Sequence, residues 1–348
     1  MRIVVNDIAA SADSGGAFSV LNDFYNDIVK NGGNHEWILL LNEKHFQEHE
    51  NIIIKTYPEI KKSWLKRILF DVFQGKKIIN DLNPDIYLSL QNTSTLGVKS
   101  TQYVYLHQPL PYQEEKNFSF LKKREFKYAV YQKVIGFIFN FLFKVTKSNI
   151  IVQTEWMKRN VNKKVKNKIY ISKPILQQEN LKKQFVSPNF HHFFFPASNL
   201  VYKNHQLIFD ALKYIQDPKI RIYLTIDKNE LIETSIDNRV VFLGKINRER
   251  VFELYKKTVL LFPSYIESFG YPLLEARLLK TFILASDTDF SREILKGYSN
   301  ILYFDKDDPK YLANLMSSLM KYGYYSENDS DSMEYYNNTS ILNIIIKN

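Results

Sequence analysis

The strongest constraint on the fold is a regular alternation of short apolar runs with helix-like segments, which occurs in two series. The strand-like runs of the first series are Ile3–Val5, Trp37–Leu41, Ile52–Ile54, Ile86–Leu90, Tyr103–Leu106, Ile150–Val152 and Ile169–Ile171. Those of the second are Phe193–Phe195, Ile220–Thr225, Val240–Leu243, Val259–Phe262, Phe282–Ala285 and Ile301–Tyr303. Strands that alternate with helices predict parallel sheets joined by right-handed crossovers. The sequence therefore predicts an α/β protein with two Rossmann-like domains.

The helix-like segments and one polar stretch set the expected domain boundaries. The helical segments are Val20–Lys30, Ser63–Asn80, His205–Tyr214, Arg248–Lys256, Leu273–Leu279, Ser291–Leu295 and Pro309–Tyr322. A polar stretch with two prolines lies between Lys173 and Asn189, where we expect the domain break. We therefore expect a first domain over residues 1–175, a second over 176–325, and a tail over 326–348. The apolar end of that tail, Ile341–Ile346, is a candidate to pack back on the first domain.

The excess positive charge lies entirely in the first half of the chain. Of a formal net charge of +10, residues 1–175 contribute 26 Lys and Arg against 16 Asp and Glu, while the remainder has 21 of each. This asymmetry indicates an anionic partner, either a nucleic acid or an anionic membrane. No nucleic-acid-binding motif is recognisable. Two segments, 61–77 and 122–143, carry basic residues beside apolar ones, as in interfacial helices on anionic lipid or in ordinary helices with lysines in water. The first segment fits both descriptions equally, whereas the second is apolar nearly all round and is expected to be at least partly buried.

Three features of the sequence bear on the cellular compartment of the protein. The chain has no cysteine, which excludes disulfides, thiol nucleophiles and Cys-ligated metals and fits a reducing compartment. The chain starts directly with a strand-like run, without the apolar core of a signal peptide. Its longest apolar run, Val134–Phe143, is too short to span a bilayer. We therefore expect a cytoplasmic protein.

Two glutamates separated by seven residues, Glu267 and Glu275, lie on either side of a predicted strand–loop–helix turn. Gly270 allows close backbone approach and Pro272 suits a first helical turn. The start of such a helix favours a phosphate, whereas carboxylates accept hydrogen bonds from hydroxyls. The pattern is therefore equally consistent with a nucleotide-sugar site and with a surface loop followed by a capped helix.

Other candidate residues stand at the ends of predicted strands. Lys203 precedes a helix start and could reach a diphosphate, although most lysines are simply solvated. His107 and the pair Gln91-Asn92 follow two strands, where α/β folds place ligands, but His107 could equally be a loop residue in a Pro-rich turn. Gly15-Gly16 follows the first strand and could approach an anion, or form only a tight turn. It lacks the G-x-G-x-x-G spacing, which argues against a dinucleotide cofactor.

The sequence Asp287-Thr288-Asp289 has two interpretations. A D-x-D motif could hold a divalent metal and a diphosphate. However, Ser286, Asp287 and Asp289 are also typical N-cap and first-turn residues for the helix that follows. The helix-start interpretation is favoured.

Taken together, these motifs resemble the GT-B glycosyltransferases of family 4, the retaining, nucleotide-sugar-dependent group also called glycosyl transferases group 1. The resemblance covers most of the chain from Ile3 to about Leu319. It is carried by the segments 107–111, 152–158, 195–205, 263–276, 285–293 and 304–309. It implies two Rossmann-like domains that face each other across a cleft.

The resemblance also implies a role for each matching residue. Glu267 would hold hydroxyls of the donor sugar and Glu275 the ribose hydroxyls. Lys203 and the N–H groups near Phe269 and Gly270 would hold the diphosphate. From the first domain, the glycine pair with Gly16 would approach the diphosphate, His107 would lie beside the reacting sugar, and Gln91 and Asn92 would line the acceptor side. One departure is that Ser198 stands where many relatives carry an arginine, five residues before Lys203.

The resemblance finally implies the reaction and its partners. The donor would be a UDP- or GDP-sugar and the acceptor a glycan, lipid-linked as in many relatives, in bacterial surface polysaccharide assembly. No metal or other cofactor is expected. The protein would act at the cytoplasmic face of the membrane, docked by its basic domain on anionic lipid, and would bind no nucleic acid. The alternatives are a non-catalytic sugar-nucleotide or glycan-binding protein on the same fold and, ranked lower, a basic nucleic-acid-binding protein.

Overall fold

The computed structural model describes residues 1–11, 16–174, 188–231, 237–323 and 339–347. The chain divides into two compact units. The first unit comprises Met1–Ile175 together with Asn337–Asn348, and the second comprises Leu176–Tyr336. The predicted domain linker from Lys173 to Asn189 lies largely outside the described residues, as does the start of the predicted tail.

The first unit is built on a seven-stranded parallel sheet with strand order β3-β2-β1-β4-β5-β6-β7. Its strands are β1 (Arg2–Asp7), β2 (Glu36–Leu41), β3 (Ile52–Thr56), β4 (Ile86–Ser89), β5 (Thr101–Tyr105), β6 (Asn149–Val152) and β7 (Ile169–Ile171). Its helices are α1 (Gly16–Asn31), α2 (Pro58–Lys61), α3 (Trp64–Leu69), α4 (Gly75–Asp81), α5 (Phe126–Ala129), α6 (Gly136–Thr146), α7 (Glu155–Asn162) and, at the chain end, α13 (Ile341–Lys347). All seven strands predicted from the apolar runs are present.

Alternating residues of the first sheet supply two hydrophobic layers. Ile3 and Val5 face one layer, which also contains four residues of α13. Val4 and Ile38 face the other layer. Because successive strand residues point to opposite faces, a strand that is apolar throughout must be covered on both sides. The C-terminal helix therefore forms part of the core of the first unit.

The second unit contains a six-stranded parallel sheet with strand order β10-β9-β8-β11-β12-β13. Its strands are β8 (His192–Phe195), β9 (Arg221–Leu224), β10 (Val240–Phe242), β11 (Val259–Phe262), β12 (Ile283–Ser286) and β13 (Ile301–Phe304). Its helices are α8 (His205–Leu212), α9 (Arg248–Lys257), α10 (Tyr271–Leu278), α11 (Asp289–Ile294) and α12 (Pro309–Tyr322). In this sheet the chain moves outward from β8 to β10 and then returns to the other side of β8 with β11. Such a reversal creates a crevice at the carboxyl ends of the two central strands, where α/β sheets bind ligands.

Two of the helical segments of the first unit are interrupted. The predicted helix Ser63–Asn80 consists of α3, a π-helical turn over Phe70–Gln74, and α4. A second π-helical turn, Val130–Ile135, joins α5 to α6. Within the part of the chain that the structure describes, no helix combines the length and apolarity needed to cross a membrane.

Candidate functional site

The crevice between β8 and β11 brings together two loops that are about sixty residues apart in sequence. After β8, the chain forms a 3₁₀ turn over Val201–Lys203 and enters α8 through Asn204, whose φ is +58°. The backbone N–H of Tyr265, after β11, donates to the carbonyl of Tyr202 at 3.1 Å. This hydrogen bond fixes the loop that carries Lys203 against the loop that carries Glu267.

Lys203 and Glu267 form an ion pair at this crevice, and their side chains are only 16% and 15% exposed. Ser264 Oγ donates to the same carboxylate oxygen, Glu267 Oε1, at 2.7 Å. Three polar groups thus converge in a partly dehydrated site, where electrostatic interactions are stronger than in bulk water. The cation can attract an anionic group, and the carboxylate can accept hydrogen bonds from hydroxyls.

The loop after Glu267 ends at the start of α10. Gly270 has a φ of +92°, a conformation that side chains other than glycine rarely adopt. Helix α10 begins at the next residue, so the positive end of its dipole lies at this loop. Phe269 is buried beside it and anchors the turn. The geometry is therefore suited to an anion next to Lys203.

Glu275 has different partners from Glu267. Its side chain is 9% exposed and lies within α10. Arg248 donates to Oε1 at 2.7 Å, and the Tyr255 hydroxyl donates to Oε2 at 3.2 Å. Burial raises the pKa of Glu275, and the guanidinium of Arg248 opposes that rise. The two glutamates therefore belong to two separate polar clusters of the second unit.

In the first unit, the predicted polar residues after β4 and β5 do meet. The backbone N–H of His107 donates to Asn92 Oδ1 at 2.8 Å, and the Asn92 amide lies 3.1 Å from His107 Nε2. Burial lowers the pKa of His107 to about 4, so its ring is neutral near pH 7. Because Nε2 accepts from Asn92, the ring proton is on Nδ1, which has no partner among the described residues. Gln91 accepts from the N–H of Ala9 at 3.2 Å and keeps a buried, unpartnered amide nitrogen.

The remaining sequence predictions have varied outcomes. Gly15 lies outside the described residues, while Gly16 begins α1 with open space at its Cα. The guanidinium of Arg292 donates from Nε to Asp287 Oδ1 at 2.7 Å and from Nη2 to Asp287 Oδ2 at 2.8 Å. The N-cap of α11 is Thr288, in a capping box with Ser291, so the cap is neither Ser286 nor Asp287. Within the described ranges, no group of three or more His, Asp or Glu side chains is arranged to hold a metal ion.

Several residues of these clusters escaped the sequence analysis. Arg248 and Tyr255 have no motif of their own, and Ser264 lies in the segment 263–276 without a predicted role. The contacts of all three depend on how β11 and helices α9 and α10 pack. His205 was noted only as a helix start. It is 4% exposed, its ring packs 4.9 Å from that of Phe195, and neither ring nitrogen has a partner among the described residues.

We expect His205→Leu to make the protein more resistant to mild acid. Burial, assisted by the charge of Lys203, lowers the pKa of His205 to about 4. As the pH falls below the unfolded value of about 6.5, the unfolded chain binds a proton that the folded chain does not. His205 thus lowers the free energy of unfolding by about 2 kcal/mol at about pH 5 and leaves it unchanged at about pH 8. Denaturant titrations of the wild type and of His205→Leu at both pH values measure the two free energies of unfolding. If acid lowers the free energy of unfolding equally in both proteins, His205 is not the cause.

Comparison with known proteins agrees with this architecture. Residues 177–338 match the family model described as Glycosyl transferases group 1. No curated protein matches the chain. Among solved structures, the chain is similar to the lipopolysaccharide outer core galactosyltransferase WaaB, at 16% identity over 94% of this chain and 92% of that one, with a TM-score of 0.62.

Two further solved structures share the fold. HepE of Anabaena, solved with UDP-glucose, is 14% identical over 92% of this chain and 90% of that one, with a TM-score of 0.62. Sucrose-phosphate synthase of Thermosynechococcus elongatus is 13% identical over 92% and 90%, with a TM-score of 0.63. These likenesses, with the two parallel sheets, confirm the predicted fold class: two Rossmann-like α/β units of the GT-B type.

Proposed function

We propose that the protein is a retaining glycosyltransferase that moves a sugar from a nucleotide-sugar to a glycan acceptor. The observation that carries the proposal is the cluster of Lys203, Glu267 and Ser264 at the crevice of the second sheet. The family match over residues 177–338 and the similarity to solved glycosyltransferases support it. We further propose that the acceptor is lipid-linked and belongs to bacterial surface polysaccharide assembly.

The donor would be a UDP- or GDP-sugar held on the second unit. Lys203 and the start of α10 would hold the diphosphate, and Glu267 would accept hydrogen bonds from the sugar hydroxyls. Glu275 would accept from the ribose hydroxyls, which requires that the nucleotide replace or share its contacts with Arg248 and Tyr255. HepE was solved with UDP-glucose, which makes UDP the first nucleotide to test.

The transfer would form one bond and break one bond at the anomeric carbon. The acceptor hydroxyl oxygen attacks that carbon while the bond to the diphosphate oxygen breaks, and the acceptor proton passes to the departing phosphate oxygen. Lys203 and the dipole of α10 stabilise the charge that develops on the leaving group, a form of preorganised electrostatic catalysis. We propose for His107, whose ring is neutral near pH 7, the role beside the reacting sugar that the family resemblance implies.

The reaction is tested by incubating the protein with nucleotide-sugars and membrane lipid extracts, with and without excess chelator. The proposal expects glycolipid product with the anomeric configuration of the donor, at a rate that the chelator leaves unchanged. Loss of activity in chelator would overturn the metal-independent mechanism, and an inverted product would overturn retention. Donor binding without transfer or hydrolysis would instead favour a non-catalytic binding protein.

We also propose that the first unit docks on anionic membranes. Large apolar side chains are exposed beside lysines in this unit, including Phe73, Phe137 and Leu121, which is 97% exposed and precedes Lys122-Lys123-Arg124. Basic residues and apolar side chains together bind anionic lipid, and each basic residue contributes about 1 kcal/mol near such a surface.

Vesicle sedimentation at low salt tests this docking. We expect the protein to bind vesicles that contain anionic phospholipid far better than neutral vesicles. Leu121→Ser should weaken binding roughly tenfold because a fully exposed leucine is lost from the contact. Tyr311→Ser, a matched change of an exposed apolar residue in the second unit, should have no effect. Equal binding to anionic and neutral vesicles, or no binding to either, would contradict the proposal.

A further inference from the structure

A pocket of about 660 Å³ lies wholly within the first unit, at the carboxyl ends of β4 and β5. Helix α3 forms one wall, and the segment from Phe126 to Phe139 forms the other. Gln91, Asn92 and Thr93 lie at its base. Its volume falls in the range of about 300–1,000 Å³ that is usual for small-molecule sites. The two walls are the two segments of the sequence that carry basic residues beside apolar ones.

The two π-helical turns lie in these walls. Each turn is followed by a glycine that packs closely: a Cβ on Gly75 would lie 2.7 Å from Thr95 Cγ2, and one on Gly136 would lie 2.7 Å from Pro111 Cβ. A π-helical turn inserts a residue and re-aims the side chains around it, and such turns are frequent at functional sites. The first turn supplies Asp71 to the pocket, and the second supplies Val130.

The pocket joins an apolar wall to a basic rim. Trp64, Ile68, Phe126 and Phe139 supply apolar surface, and Trp64 and Phe126 are each about half exposed. Lys61, Lys62, Arg67 and Lys127 supply positive charge. Lys62 is paired with Glu59 at 2.5 Å, whereas Lys127 has no ion pair within the described part of the chain. Asp71 is the acidic residue of the lining.

Arg67 keeps hydrogen-bonding capacity for a ligand. Its Nε is buried without a partner among the described residues. Asp71 already accepts from the hydroxyls of Thr93 at 2.6 Å and Thr95 at 2.8 Å. Burial raises the pKa of Asp71 to about 7, so much of its charge is suppressed near neutral pH. The lining therefore carries more basic than acidic side chains, and the guanidinium of Arg67 can donate hydrogen bonds to a phosphate.

We propose that this pocket binds a phosphate-bearing lipid, with the phosphate at Arg67 and Lys127 and the first part of the hydrocarbon chain against Trp64, Ile68 and Phe126. A fully polar ligand would leave the apolar wall without a partner, and a neutral lipid would leave the basic rim without one. Leu65 and Phe73, which belong to the same helical segment as Trp64 and Ile68, are also exposed apolar residues. The assignment of this lipid as the acceptor rests on the proposed function, whereas the binding itself does not.

Intrinsic fluorescence can report on occupancy of the pocket. The chain has three tryptophans, and Trp37 and Trp156 are buried while Trp64 is 49% exposed in the pocket wall. Decyl phosphate, used below its micelle concentration and without any nucleotide-sugar, should shift the emission of Trp64 to the blue in a saturable way. Trp64→Phe should remove the shift, while calorimetry should still detect binding.

The chemistry of the site is tested with matched ligands and variants. Decyl phosphate should bind at least roughly tenfold tighter than decyl maltoside and inorganic phosphate. Lys127→Gln should weaken its binding roughly fivefold. Lys99→Gln, which removes an exposed charge of the first unit outside the pocket lining, should not. Arg67→Gln should have the larger effect, and Lys127→Gln remains informative if that variant fails to fold.

Two results would overturn the proposal. One is that inorganic phosphate or a soluble sugar phosphate competes on equal terms with decyl phosphate, which would make the occupant a soluble anion. The other is that Lys127→Gln and Lys99→Gln weaken the binding of decyl phosphate equally. Nucleotide-sugar binding separates the lipid site from the glycosyltransferase proposal. The pocket variants should bind the nucleotide-sugar as the wild type does, even if they fail to bind decyl phosphate. If the wild type binds no nucleotide-sugar, that result counts against the glycosyltransferase but not against the lipid site.

Discussion

Replacing Lys203 with methionine is expected to lower kcat/KM for glycosyl transfer by roughly 100- to 1,000-fold, the range found when one preorganised charge-stabilising group is removed. Methionine retains an unbranched apolar chain but removes the cation that faces the leaving diphosphate. It also leaves Glu267 with Ser264 as its only hydrogen-bond donor among the described contacts. Steady-state rates at varied donor concentration measure the loss.

Lys213→Met provides the matched control. Lys213 directly follows α8 in the second unit, and its exposed side chain pairs with Asp210 at 2.6 Å. Its removal should leave kcat/KM unchanged, since exposed ion pairs contribute little. If both variants retain full activity, Lys203 does not act on the donor, and a different cation must hold the diphosphate.

Glu275→Gln should raise the dissociation constant of the nucleotide roughly 10- to 100-fold, because hydrogen bonds from two ribose hydroxyls to a charged acceptor are lost. The same change breaks the ion pair with Arg248, so the variant alone does not identify the cause. Calorimetric titration with the parent nucleoside diphosphate gives the affinity without any contribution from the sugar.

Arg248→Gln separates the two explanations. It removes the ion pair but leaves the Glu275 carboxylate, and Arg248 is itself 57% exposed. If Glu275 binds ribose directly, this variant should bind nucleotide as well as the wild type or better, because the competing guanidinium is gone. Equal weakening in both variants would show that the ion pair, and not a ribose contact, determines affinity.

The sequence predicts the strands of this fold more completely than its helices. Each predicted strand is present because a buried parallel strand is apolar along its whole length, as in Val259–Phe262. Both strand orders follow the usual Rossmann order, in which the fourth strand returns to the other side of the first, so the placement of β11 beside β8 agrees with the predicted Rossmann-like domains. The interruptions of the predicted helix Ser63–Asn80 were missed, since neither Gly75 nor its neighbours signal a π-helical turn.

For the candidate site, the sequence identified charged residues but not their partners. Lys203 and Glu267 stand next to strand ends, where a rule of α/β topology places ligands. Ser264 and Tyr255 are ordinary residues of a loop and a helix, and only the folded chain brings them to the two glutamates. The pocket of the first unit combines residues from 61 to 139, so no local motif could reveal it.

Ser198 is exposed, and Lys203 is the cation of the loop between β8 and α8. Other cations of the second unit are paired with carboxylates, among them Arg248 with Glu275, Arg292 with Asp287, and Lys306 with Asp307. We therefore expect Lys203 and the start of α10 to provide most of the interactions with the diphosphate.

The most direct test is a calorimetric titration of the purified protein with UDP-, GDP-, ADP-, dTDP- and CMP-sugars, repeated with Lys203→Met and Lys213→Met. The account predicts saturable binding of at least one nucleotide-sugar by the wild type and by Lys213→Met, with the affinity reduced at least roughly tenfold in Lys203→Met. Absence of binding by every nucleotide-sugar, or the same affinity in all three proteins, would contradict it.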